Sequence, residues 1–94
     1  MLSVNRLELE SRVDWLVREV NHDMREGRVL LAKYNLGRAS AFATLLEVMG
    51  SSRHRATVAL LDNSYHAEWV EVERAIEAWR AGRKAEALLP EAGK

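Results

Sequence analysis

The chain contains no cysteine among its 94 residues, which excludes disulfides, thiolate metal sites and a cysteine nucleophile together. It has a single proline, Pro90, and five glycines, so few positions force the backbone out of a helix. Strand signals are missing, because no run of β-branched and aromatic residues alternates between turn clusters. No stretch approaches the roughly 18 consecutive apolar residues of a membrane span. The opening "MLSVNRLELE" lacks the basic-then-apolar pattern of a secretory leader. The expected compartment is therefore the cytoplasm, with no membrane as partner. Net charge is absent as well: 14 basic residues balance 14 acidic ones, so no whole-molecule field draws the chain to nucleic acid or lipid. The balance is uneven along the chain, with residues 25–60 mildly basic and both flanks mildly acidic, a pattern that suits internal ion pairing.

What is present is helical spacing, nearly everywhere. The apolar share of 48% belongs to a folded domain. The length fits one domain over residues 1–89, with 90–94 ("PEAGK") as a frayed tail. A first helix is expected over residues 3–26, stopped by Gly27 as a left-handed C-terminal cap. Its stripe is Leu2, Leu9, Leu16, Val20 and Met24, with Val13 and Val17 beside it. Opposite charges four apart line its wet flank: Arg6 with Glu10, Glu8 with Arg12, and Asp14 with Arg18. A second helix is expected over 28–49, stopped by Gly50, with Asn35, Leu36 and Gly37 as a candidate kink. Leu30, Leu31, Tyr34, Ala41, Phe42, Leu45, Leu46, Val48 and Met49 give it a wide apolar arc, which predicts the most buried helix.

After a "GSSRH" turn capped by Ser51 or Ser52, a third helical segment runs to about Leu88. Val58, Tyr65, Val72 and Trp79 recur every seven residues there, with Leu61, Trp69 and Ile76 on the same face. Asp62, Asn63 and Ser64 mark a kink or a fresh cap. Seven-residue recurrence favours shallow crossing angles. The expected fold is all-α: a small antiparallel bundle of three principal helices, kinked into four or five, and oligomeric. A chain this short buries little of its surface, and with no cysteine for a disulfide or a thiolate metal site a partner subunit gains weight as the staple, although well-packed helical domains of this size also stand alone.

Chemistry-bearing constellations are sparse. Asp62 and His66 lie four apart and His66 and Glu73 seven apart, but only His22 and His54 could join them from distant segments. A metal site needs three or four convergent ligands, so none is expected, nor any cofactor. Serines 40, 51, 52 and 64 fall at expected caps and turns. No catalytic set emerges.

Three functions remain, from different classes. The first is a non-enzymatic protein–protein interaction or assembly module, a homodimer or larger assembly that can also take a partner protein. Trp15 carries it: it lies opposite the stripe of the first helix, beside Arg18 and His22, and tryptophan and arginine dominate interface hot spots. Trp69 and Trp79 are further interface candidates. The second is a DNA-binding regulator. "FATLLEVMGSSRHRATVALL" has a helix-turn-helix layout that places Arg53, His54 and Arg55 at the start of the second helix. Leu46 where a small residue is needed, Ser51 after the glycine, and zero net charge all weigh against it. The third is a small helical enzyme or anion binder around Arg38, whose guanidinium falls in the apolar arc and there needs an acidic or anionic partner.

Overall fold

The computed structural model describes residues 5–88. Four α-helices follow one another: α1 (Arg6–Arg25), α2 (Val29–Val48), α3 (Arg53–Ser64) and α4 (His66–Leu88). Asn5 opens α1, its side-chain oxygen accepting from the backbone N–H of Leu7 at 2.9 Å and of Glu8 at 3.3 Å. That satisfies two donors a helix start leaves orphaned. Gly27 (φ +77°) and Gly50 (φ +96°) close α1 and α2 in the left-handed region, where glycine alone carries no Cβ penalty. The helix start expected at residue 3 and the tail at 90–94 lie outside the described residues.

α1 and α2 form an antiparallel hairpin. The buried residues of α1 are Leu9, Val13, Leu16, Val20 and Asp23, stepping four, three, four, three along the helix. α2 answers with Ala32, Leu36, Ala39, Ala43 and Leu46, in the same rhythm. Large side chains on one helix thus meet mainly small ones on the other, which lets the two axes approach closely. α3 folds back over this pair and adds Val58 and Leu61 to the core.

Two expectations need correction. Most of the apolar arc of α2 lies outside the core: Leu30, Leu31, Tyr34, Leu45, Val48 and Met49 are exposed, while Leu46 is buried and Phe42 half-buried, because α1 packs on the alanine side instead. The third segment is two helices, so the principal count is four. The break falls at Tyr65, just after Asp62, Asn63 and Ser64, and is held by side chains. Ser64 Oγ donates to the Leu60 carbonyl (2.8 Å) and Trp69 Nε1 to the Asp62 carbonyl (3.1 Å), while Tyr65 OH donates to Asn21 Oδ1 (2.6 Å). By contrast α2 runs unbroken through Gly37. Asn35, read as a breaker, donates from Nδ2 to Asp23 Oδ2 at 3.0 Å, and its neighbour Leu36 is buried in the core.

The described helices leave no strand between them, and none of them is long and apolar enough to cross a membrane. The radius of gyration is 18.0 Å and the extents are 58 × 36 × 18 Å. A compact domain of this length would have a radius of gyration of about 12 Å. The excess comes from α4, whose 23 residues span roughly 35 Å and leave the hairpin behind.

Candidate interaction surface

α2 organises the surface because a helix of 3.6 residues per turn can present two faces at once. Opposite the alanine stripe, Leu30, Tyr34, Gly37, Ala41, Leu45 and Val48 step along the outer side at spacings of three and four. All six are exposed. Leu31, Arg38, Phe42 and Met49 flank this row. Arg38 is half-buried there, and its guanidinium carbon stands 5.8 Å from the centre of the Tyr34 ring. The sequence placed it among apolar residues in need of an acid; an aromatic face is the partner it has.

α4 crosses the N-terminal part of α2. Lys33 ties the crossing together, its Nζ 3.2 Å from Glu73 Oε1 and 5.6 Å from the Trp69 ring centre. Trp69 is 3% exposed and stacks edge-on against Tyr65, with ring centres 5.7 Å apart. Beyond it the same face of α4 continues through half-buried Val72 and Ile76 to Trp79, which is 63% exposed. Leu30 of α2 and Val72, Ala75, Ile76, Trp79 and Arg80 of α4 line an open, apolar groove of ≈ 550 Å³. The two tryptophans paired by the sequence therefore part company, Trp69 inside and Trp79 outside.

The first tryptophan has its own setting. Trp15 is 48% exposed and borders a shallow hollow of ≈ 590 Å³ with Leu7, Glu8, Ser11 and Arg12. Arg18 and His22 are exposed on the same helix. Asp14 does not pair with Arg18 but reaches α3, its Oδ1 lying 3.2 Å from His54 Nε2. Arg53 Nη2 lies 3.4 Å from the same Nε2, and the other ring nitrogen, Nδ1, is buried without a partner among the described residues.

At 2% exposure His54 joins α3 to α1 and is not available to a DNA groove. Arg53 and Arg55 are exposed, and Arg55 Nη1 donates to Thr44 Oγ1 (3.2 Å) and Glu47 Oε1 (3.5 Å) across the turn. The helix-turn-helix candidates thus divide into one buried joint and two surface arginines, Arg53 reaching the His54 ring and Arg55 engaged across the turn.

The sequence missed a second polar joint. Asp23, 3% exposed, sits at the closed end of the hairpin seam. Its Oδ1 accepts from Arg28 Nε (3.2 Å) and its backbone carbonyl from Arg28 N (2.8 Å), while Oδ2 takes Asn35. The seven-residue recurrence of Leu9, Leu16 and Asp23 could have revealed it. Among the described residues no three histidine or acidic side chains gather closely enough to hold a metal ion. No family model, curated protein or solved structure matches the chain.

Proposed function

We propose that the protein is a helical interaction module that works by self-association, as a homodimer or larger assembly able to take a protein partner on the same surface. The observation that carries this is the outer row of α2, where Leu30, Tyr34, Leu45 and Val48 stand exposed together with Trp79 across the groove. Complete burial of one large apolar side chain contributes about 1.5–3 kcal/mol, and exposed apolar patches of this extent mark interaction sites.

A standard interface removes about 800 Å² from each partner. Trp79 is suited to anchor it, since large aromatic rings in a groove dominate binding energy.

Sedimentation equilibrium of the full chain across the micromolar range tests the proposal. A weight-average mass that climbs above 10.7 kDa with concentration is expected. A constant monomer mass throughout overturns it.

A further inference from the structure

We infer that the partner is a second copy of this chain and that the two copies join through antiparallel pairing of their α4 helices across a two-fold axis between Glu77 and Arg80. This rests on the self-association proposed above and names the surface that performs it.

The first observation is an unfinished packing face. The side of α4 that meets α2 with Trp69, Val72 and Ile76 continues to Trp79 after α2 has ended at its first turn, beside Leu30. Isolated helices of about 12–15 residues are marginal in water, and from Arg74 onward α4 has little of its own chain to lean on: its described side chains are exposed except Ile76.

The second observation is a charge pattern that chooses the occupant. Glu73, Glu77, Arg80 and Lys84 are spaced four, three and four apart, so they form one stripe along the edge of the apolar face. Its signs run negative, negative, positive, positive. Within one helix this order sets like charges four apart twice, Glu73 with Glu77 and Arg80 with Lys84, against one opposite pair, Glu77 with Arg80, three apart. The helix dipole does not account for it, because that effect fades beyond the terminal turns and Glu77 and Arg80 lie two or more turns from either end. Among the described residues Glu73 is the α4 carboxylate that has an ion-pair partner, Lys33.

Turned end for end, the stripe becomes its own complement. Glu77 faces Arg80 of the copy, Glu73 faces Lys84 of the copy, and the two-fold axis repeats both pairs. In a parallel two-fold pair the two stripes would lie on opposite edges of the interface and could not meet. The antiparallel arrangement also brings Trp79 of each copy beside Ile76 and the groove of the other, the self-complementary contact a two-fold interface requires.

The test uses Glu77→Lys and Arg80→Glu, both at exposed positions, with mass by sedimentation equilibrium and helicity by circular dichroism. By symmetry each substitution turns two attractive contacts into two repulsive ones, so each variant alone should dimerise about tenfold more weakly or worse. An equimolar mixture of the two variants should regain a dimer of wild-type strength. In the mixed pair the introduced lysine of one copy meets the introduced glutamate of the other, and the remaining Arg80 meets the remaining Glu77. Repair between molecules excludes a mere loss of helix. Wild-type dimers with variants that associate equally well would overturn the α4 pairing and leave self-association standing. Weakened variants whose mixture does not recover would overturn it too. A monomeric wild-type chain would overturn both.

Discussion

Along α2 the residues that meet α1 are mostly alanines, while those on the far side are leucines, a tyrosine and a valine. Ala32, Ala39 and Ala43 are fully buried, and Leu30 and Tyr34 are each 64% exposed. Hydrophobicity alone would have turned the helix round. Fit decides otherwise, because α1 already brings Leu9, Val13, Leu16 and Val20 to the seam, and interiors close at crystal-like density only when large meets small. The helix thus completes one interface with its smallest side chains and carries a second, larger apolar face outside. The contrast separates a face that makes the monomer stable from a face that is free to make an assembly.

Truncating the inner face should have the largest effect. Leu46 is fully buried where α2 meets α1 and α3. Leu46→Ala removes most of a packed side chain and leaves a cavity, which destabilises by about 2–5 kcal/mol. In a domain of this size that lowers the melting temperature by roughly 10 °C or more, readable by thermal or urea unfolding. A loss under about 1 kcal/mol would show that the hairpin seam is not what holds the molecule together.

Enlarging the same face should come second. Ala43 is fully buried, and Ala43→Leu forces extra methylenes between helices whose approach depends on small residues. Overpacking of this kind destabilises by about 1–3 kcal/mol, although the new residue is more hydrophobic and nearly as good a helix former. Chemical denaturation checks the sign. A more stable variant would mean the alanine side is loosely filled, and the difference between the faces would be one of chance exposure.

The all-helical class, the stops at Gly27 and Gly50, and the stripe of α1 are visible in the sequence because each is local: spacing, a left-handed cap, a repeat of apolar positions. The inner face of α2 is local too, since Ala32, Leu36, Ala39, Ala43 and Leu46 keep the same four-three rhythm as Leu9, Val13, Leu16 and Val20. It goes unnoticed when alanine is weighed below leucine. The break at Tyr65 is marked locally by Asp62, Asn63 and Ser64, although the recurrence of Val58, Tyr65, Val72 and Trp79 carries straight through it and hides that two separate helices result. The fate of His54 depends on Asp14, forty residues away, and no local pattern encodes that pairing. Trp15 stays exposed and Trp69 is enclosed by Tyr65 and Lys33, a distinction that only the crossing of α4 over α2 creates.

The smallest effect belongs to the outer face. Val48 lies two residues beyond Leu46 and is 79% exposed. Val48→Ala removes two methyl groups that touch little, so the hydrophobic loss is small, and alanine's better helix propensity works the other way by a fraction of a kcal/mol. Unfolding free energy should change by no more than about 0.5 kcal/mol, with the sign leaning toward stabilisation. Measured beside Leu46→Ala in the same denaturant series, the pair gives the ratio between the two faces of one helix turn. A loss approaching that of Leu46→Ala would mean that the outer row is already covered within the folded unit, and the surplus of apolar surface behind the proposed self-association would not exist.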